Sequence, residues 1–328
     1  MKIKSIITLL VSVIAFNGFA DTFAVSEKEQ TQMREEAENW IDDMPVGLQD
    51  RISDAVGHAM HGFYSEIGYF RNMADTAGIN KYKVKIEDIK GGDYSDLSMR
   101  LYKSENKSDH QLPLLIYFHG GGWSVGSILT TDKFCRAVAS EGKVMVVSVD
   151  YPLAPEHPYP AALKTCQSAI EFICRKAEEW GGTQKMISLG GDGAGGNLAY
   201  EVFQALPSSV KIRSLILYYP LLKTSGELIA NNKREYGRGY GFDSRLWEAF
   251  TVAYNDKSTG LSKKVIPPTL LISAGRDIII DEEKNFASGN KIVTYVEFEG
   301  ALHGFITDGN QPTAFNKAVA LTNSFLTR

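Results

Sequence analysis

The sequence predicts an α/β fold with a mostly parallel sheet that is covered by helices on both faces. Three features predict it: six short apolar segments recur along the chain, helical stretches separate most of them, and two alternating segments precede them. Parallel strands that are buried on both faces read as apolar runs, because both of their surfaces face helices. The length of 328 residues is enough for one large domain of this kind.

The first segment of the chain is typical of a secretory signal peptide. It has Lys2 and Lys4 near its start, continues with a mostly apolar run over residues 6–16 that is too short to span a bilayer, and ends with small residues at Gly18 and Ala20. We therefore expect cleavage after Ala20 and a secreted or periplasmic protein. Apolar residues at helical spacing then predict helices over residues 27–70.

Strand segments follow these helices. Residues 82–86 and 97–101 alternate apolar with polar side chains on either side of a turn-rich Gly-Gly-Asp, and they predict an antiparallel pair. The six apolar segments are LPLLIYF (112–118), KVMVVSV (143–149), KMISL (185–189), RSLILYY (213–219), PTLLISA (268–274) and VTYVEFE (293–299). A polar, glycine-punctuated stretch at about 221–264 interrupts the alternation between the fourth and the fifth of these segments.

Composition excludes several function classes. The formal net charge is −4, and a mildly acidic chain has no electrostatic reason to bind nucleic acid or an anionic membrane. No stretch after the leader is long and apolar enough to cross a membrane. The three cysteines, Cys135, Cys166 and Cys174, are too few for a disulfide scaffold and are predicted to be buried thiols. His58 and His61 have a metal-compatible spacing, but no third ligand lies nearby in sequence, so no metal site is predicted.

The segment SLGGDGAGGNLA (188–199) allows two interpretations. Gly191, Gly193 and Gly196 match the G-x-G-x-x-G loop that binds dinucleotides, with a strand before it and a helix after it. That motif also needs an acidic residue about 20 positions further on, and the segment SLILYYPLL at that distance contains none. The same segment also matches the G-x-S-x-G turn of ester hydrolases, with Gly193 in the place of the serine.

Three further segments favour the ester-hydrolase interpretation. The run HGGGW (119–123) follows an apolar strand, and glycines at a strand end let backbone N–H groups converge on an oxyanion. Asp277 follows the strand PTLLISA, where a carboxylate that orients a histidine belongs, and His303 follows the last strand. The order of turn, aspartate and histidine along the chain is the order found in α/β hydrolases.

With these motifs, the chain resembles the hormone-sensitive-lipase-like group of carboxylesterases, which includes bacterial acetyl esterases. The matching segments are HGGGW (119–123), DYPLAPEHPYPAAL (150–163), GGDGAGGNLA (190–199), SAGRDIIIDE (273–282) and LHGF (302–305). The resemblance implies an α/β-hydrolase fold with an eight-stranded, mostly parallel sheet in a core over residues 76–328. It also implies a helical cap, formed by residues 21–75 and by an insertion at about 221–264. The implied ligands are short-chain acyl esters, with no metal and no organic cofactor.

The resemblance also implies a set of site residues. Asp277 and His303 take the positions of the catalytic acid and base. The backbone N–H groups of the implied oxyanion hole belong to Gly120, Gly121, Gly122 and Ala194. The family pattern at the turn is G-D-S-A-G-G, whereas this chain has Gly193 at the nucleophile position.

The glycine at the nucleophile position leaves two hypotheses open. Gly193 has no side chain and cannot form an acyl-enzyme, and Asp192, Ser188 and Ser124 do not stand at the tip of the turn. The protein is either an ester hydrolase, slowed because His303 must activate a water directly, or a binding protein for a small acyl or carboxylate ligand. Under both hypotheses the partner is a small molecule, and neither nucleic acid nor a membrane span is expected.

Overall fold

The computed structural model describes residues 23–91, 97–106, 108–222, 235–256, 264–307 and 309–328. The predicted signal peptide, residues 1–20, lies outside these ranges, as do parts of the predicted insertion at about 221–264. Within the described ranges, no helix combines the length and the hydropathy that crossing a bilayer requires.

One sheet organises the core. Its strands are β1 (Val84–Lys90), β2 (Ser98–Ser104), β3 (Leu112–Phe118), β4 (Met145–Asp150), β5 (Gly182–Asp192), β6 (Ser214–Tyr218), β7 (Thr269–Arg276) and β8 (Val293–Leu302). Their order across the sheet is β1-β2-β4-β3-β5-β6-β7-β8; β2 pairs antiparallel with β1 and β4, and the other pairs are parallel. The predicted fold class is therefore confirmed. The order also differs from the 3-2-1-4-5-6 order of dinucleotide-binding folds.

Helices cover both faces of the sheet. They are α1 (Glu27–Asp43), α2 (Leu48–Met60), α3 (Ser65–Arg71), α4 (Asp132–Ser140), α5 (Ala161–Lys176), α6 (Ala194–Ala205), α7 (Ser244–Tyr254), α8 (Ile280–Ser288) and α9 (Pro312–Leu326). Because successive side chains of a strand point to opposite faces, the apolar strand β3 supplies two cores. Leu114, Ile116 and Phe118 share one core with α5 and α6. Leu115 and Tyr117 share the other with α4 and α9.

The amino-terminal helices have different partners. α1 packs against β8 and α9, and Gly300 allows the close approach, since a Cβ there would lie 2.5 Å from the backbone nitrogen of Arg34. α2 packs instead against α7, where Asp50 pairs with Arg245. Within the range 21–75, for which cap helices are predicted, α2 thus lies against the insertion, whereas α1 lies against the sheet.

Candidate active site

A strand-to-helix turn at the carboxyl end of β5 carries Gly193. Its backbone has φ 53° and ψ −116°, a combination that residues with a Cβ rarely adopt. Its N–H donates to the Tyr218 carbonyl at 3.0 Å, and its carbonyl accepts from the N–H groups of Asn197 at 3.1 Å and Leu221 at 3.0 Å. The helix that follows, α6, is buried along most of its length. The turn is therefore fixed by β6, by the chain after β6 and by a helix inside the core.

Three other glycines let this turn pack closely against neighbouring segments of the same protein. A Cβ on any of them would collide with another residue, at 2.4 Å for Gly191, 2.0 Å for Gly195 and 2.9 Å for Gly196. Gly193 differs, because among the described residues a Cβ there would meet only the His303 ring, at 3.4 Å from Nε2 and 3.8 Å from Cε1. These are ordinary contact distances. Position 193 thus has room for a side chain, and only its backbone conformation favours glycine.

His303 and Asp277 form a hydrogen-bonded pair beside the turn. They follow β8 and β7, and neighbouring parallel strands bring their carboxyl ends to the same edge of the sheet. Nδ1 of His303 lies 2.6 Å from Oδ2 of Asp277, whose side chain is fully buried. In the neutral ring, the Nδ1–H group donates a hydrogen bond to the carboxylate, and the Nε2 lone pair faces Gly193. The rings of Phe242 and Tyr219 pack against the imidazole, with centroids 4.4 Å and 4.5 Å away.

The loop that follows β3 supplies backbone N–H groups next to the turn. Gly121 and Gly122 have φ values of 108° and 57°, and a Cβ on Gly122 would lie 2.0 Å from the Phe250 ring of α7. The N–H groups of Gly121, Gly122 and Ala194 donate to no acceptor in the described part of the chain. Free N–H groups at a strand end and at the first residue of a helix can stabilise negative charge on a ligand oxygen.

Gly120 has a different role from its neighbours in this loop. Its N–H donates to Oδ1 of Asp192 at 3.0 Å, and the Tyr117 hydroxyl donates to the same oxygen at 2.9 Å. Burial raises the pKa of the Asp192 carboxyl to about 6, and a buried carboxyl needs such donors. The sequence predicts Gly120 as an oxyanion donor; the structure instead uses its N–H to tie the loop to the turn.

Arg71 joins helix α3 to the loops around the site. Its Nε donates to the Ser124 carbonyl at 3.0 Å, and its Nη2 donates to the Ala154 carbonyl at 3.1 Å. The guanidinium also forms a two-bond pair with the Glu156 carboxylate, at 2.8 Å and 2.7 Å. The Ala154 N–H in turn donates to the Trp123 carbonyl at 2.8 Å. One side chain therefore holds α3, the glycine loop and the segment after β4 together.

Of the residues considered as replacement nucleophiles, Ser188 and Asp192 bind other groups and Ser124 is buried. Ser188 Oγ lies 2.7 Å from Ser214 Oγ inside the sheet, and the Asp192 carboxyl binds the Gly120 loop. The Ser124 side chain is fully buried. Among the described residues, none of them hydrogen-bonds to His303.

Sequence patterns do not identify Tyr219, Phe242 and Arg71 as site residues. Tyr219 has one usable signal, because it directly follows β6 at the sheet edge where Gly193 lies. Phe242 lies within the predicted insertion, and Arg71 lies in a short helix without a motif. Neither of these two residues has a local signal, since the contacts that place them in the site come from distant parts of the chain.

Comparison with known proteins gives one family. A family described as having the alpha/beta hydrolase fold matches residues 115–307. The carboxylesterase NlhH of Mycobacterium tuberculosis is 35% identical over 187 residues, which cover 56% of this chain and 57% of that protein. Lipase 2 of Moraxella sp. is 30% identical over 346 aligned positions, which cover 88% of this chain and 78% of that protein. The match to NlhH thus spans little more than half of its length.

Solved structures show the same architecture. A serine-to-alanine mutant of LAE6, an α/β hydrolase from the metagenome of Lake Arreo, has a TM-score of 0.71 at 27% identity, and the match covers 89% of this chain and 98% of that one. A thermostable esterase from Pseudomonas putida shares the fold with a TM-score of 0.72 at 20% identity, covering 90% and 96% of the two chains.

Proposed function

This chain belongs to the α/β-hydrolase family, in its hormone-sensitive-lipase-like group, and on that premise we propose that it binds small carboxylic esters and hydrolyses them slowly, without an acyl-enzyme. One observation carries the proposal. Nε2 of His303 faces, at 3.4 Å, the Cβ position of Gly193, which has no side chain. The base, its carboxylate partner and the free N–H groups are retained, and only the group that would be acylated is absent. The names of the similar proteins, a carboxylesterase and a lipase, support esters as the ligand class.

The retained groups can activate a water directly. Nε2 of His303 takes a proton from a water that lies over Gly193, and Asp277 stabilises the imidazolium. The water oxygen bonds to the ester carbonyl carbon, and the free N–H groups of the glycine loop and of α6 stabilise the developing oxyanion. When the tetrahedral species collapses, the bond to the alcohol oxygen breaks and that oxygen takes the proton from Nε2.

The expected rate is low because a free water replaces a tethered hydroxyl. A nucleophile that is held in place acts as if it were present at about 10⁵–10⁸ M. Triads that lack one member retain roughly 10³–10⁴-fold catalysis over water, through binding and oxyanion stabilisation. Complete enzymes commonly exceed about 10⁶-fold. We therefore expect slow turnover with no covalent intermediate.

Hydrolysis of p-nitrophenyl acetate tests this proposal. The unmodified protein should release p-nitrophenolate without a pre-steady-state burst and should resist labelling by serine-directed phosphonates. Gly193→Ser should raise the rate by several orders of magnitude and should give both a burst and labelling, because it supplies a hydroxyl next to the base.

Gly193→Ala is the matched control for the serine variant. It imposes the same backbone conformation on a residue with a Cβ but supplies no hydroxyl, so its rate should not rise. A burst from the unmodified protein would show another nucleophile and would contradict the proposal. A folded Gly193→Ser protein that stays as slow as the unmodified one would do the same.

Ligand binding without turnover is the second candidate function, and the missing nucleophile favours it. The free N–H groups that can stabilise an oxyanion can equally hold a carboxylate. Calorimetric titration with butyrate, together with the ester assay, separates the two functions. If the protein only binds ligands, it binds butyrate, and His303→Gln leaves ester hydrolysis at the same background rate. If it is a hydrolase, His303→Gln abolishes the turnover of the ester.

A further inference from the structure

The Nε2 atom of His303 faces the position that a Cβ of residue 193 would take, and the imidazole side chain is 15% exposed. The other ring nitrogen is bonded to the buried Asp277 carboxylate, and the rings of Phe242 and Tyr219 lie against the imidazole. Among the described residues, no acceptor or donor is within hydrogen-bond distance of Nε2. The position where a Cβ of residue 193 would lie has only this ring within 4 Å. A base held in this state is accessible to a hydroxyl group that comes from solution.

We propose that this space admits a small primary alcohol, which serves as an acyl acceptor, so that the protein transfers an acyl group from an ester directly to the alcohol. This inference rests on the proposed function and adds a second acceptor, besides water, at the same base. The chemical class of the acceptor follows from two requirements: a hydroxyl group for Nε2 and a chain small enough to enter beside Gly193.

The geometry suits such an alcohol. A hydroxyl that donates to Nε2 must place its oxygen about 2.8 Å away, within the volume that a side chain of residue 193 would occupy. Of the two rings that flank His303, Tyr219 is buried, and Phe242 keeps a small exposed surface that the alkyl part of the alcohol can cover. Each methylene that becomes buried there favours binding by about fourfold, an advantage that water does not have.

The transfer needs no additional reagent. The alcohol O–H proton moves to Nε2, and the alcohol oxygen bonds to the carbonyl carbon of the ester. The carbonyl electrons move to the oxygen, which accepts hydrogen bonds from the free N–H groups. On collapse the carbonyl re-forms, the bond to the original alcohol oxygen breaks, and that oxygen leaves with the proton from Nε2. One ester and one alcohol enter, and one ester and one alcohol leave.

Methanol and p-nitrophenyl acetate are the probes for the test. With the unmodified protein, the steady rate of p-nitrophenolate release should rise in proportion to methanol concentration, and methyl acetate, measured by gas chromatography, should account for the whole increase. In Gly193→Ala the new Cβ displaces the alcohol by an ångström or more, so the methanol-dependent rate should fall by about 10²-fold.

Gly193→Ser gives a second control whose own activity shows that it is folded. Its side chain fills the space, so the rate constant of its burst phase should not depend on methanol. The inference is overturned if methanol leaves the rate of the unmodified protein unchanged, if Gly193→Ala forms methyl acetate as fast as the unmodified protein, or if methanol accelerates the burst of Gly193→Ser. Hydrolysis that persists without methyl acetate overturns this inference alone, whereas the absence of both products overturns the proposed function as well.

Discussion

At the scale of single residues, Gly193 combines a conformation that suits glycine with surroundings that admit a side chain. Its φ of 53° and ψ of −116° cost a residue with a Cβ about 1–3 kcal/mol, although a Cβ would meet its nearest neighbour, the His303 ring, at an ordinary 3.4 Å. A side chain at this position therefore fits its surroundings but strains the backbone. Glycine relieves that strain and leaves Nε2 of His303 without a residue-193 side chain opposite it.

The backbone strain at residue 193 gives a prediction about stability. Gly193→Ala should lower the free energy of unfolding by about 1–3 kcal/mol, because alanine must adopt the strained conformation. The matched control is Gly57→Ala in the middle of α2, where a Cβ meets nothing within 4 Å and alanine should stabilise the helix by about 0.5–1 kcal/mol. Urea unfolding of the three proteins measures both changes. A Gly193→Ala protein as stable as the unmodified one would contradict the strain.

The site could be predicted from the sequence where its residues follow strands. Asp277 and His303 lie three and four residues after the ends of two apolar segments, and strand ends of a parallel sheet meet at one edge. The role of Gly120 could not be predicted, because its N–H is taken by a neighbouring side chain, that of Asp192. Phe242 could not be predicted either, since it is far from His303 in the sequence and only the tertiary structure brings the two rings together.

At the scale of elements, hydrophobic periodicity does not predict where the strands end. β5 continues through Gly190 and Gly191 to Asp192, whereas the apolar segment that predicts it ends at Leu189. Strands pair through their backbones, and Gly191 pairs with Phe118 of β3 and Leu217 of β6 although it has no side chain. Hydropathy therefore locates the middle of each strand, and backbone pairing decides where it ends.

Arg71 is the residue through which α3 acts on the site. Its four side-chain hydrogen bonds reach the Ser124 and Ala154 carbonyls and the Glu156 carboxylate. In the Gly193→Ser background, Arg71→Met should lower kcat by about 10-fold to 10²-fold with a smaller change in KM, because a displaced glycine loop weakens oxyanion stabilisation.

Arg51→Met is the matched control for this variant. Arg51 is an exposed arginine of α2, and its loss should leave kcat unchanged. Thermal unfolding of both variants establishes that they are folded. Equal kcat values for Arg71→Met and Arg51→Met would show that α3 does not position the glycine loop.

At the scale of the whole molecule, the core holds carboxyl groups that resist ionisation. Burial raises the pKa of the Asp192 carboxyl to about 6, that of Glu201 to about 7, and that of Glu283 well above its usual value. In the unfolded chain these groups lose their protons near pH 4. Between about pH 4 and pH 7 the folded protein therefore binds more protons than the unfolded one, and the free energy of unfolding decreases as pH rises.

Glu201 offers the most direct test of this pH dependence. Glu201→Gln removes a charge that forms in the core above pH 7, so it should raise the free energy of unfolding at pH 8 by up to about 3 kcal/mol and change it little at pH 5. Glu178→Gln, at an exposed position of the sequence after α5, should change it at neither pH. Urea unfolding at the two pH values measures the difference, and an equal effect of Glu201→Gln at pH 5 and pH 8 would refute it.

The open position above Gly193 has a consequence for how such proteins evolve. The codons GGT and GGC for glycine become the codons AGT and AGC for serine through one base substitution, and the added Cβ would need no repacking of the core. A single mutation therefore separates the glycine and serine forms of this site, and a lineage can cross that step in either direction while the scaffold is inherited unchanged.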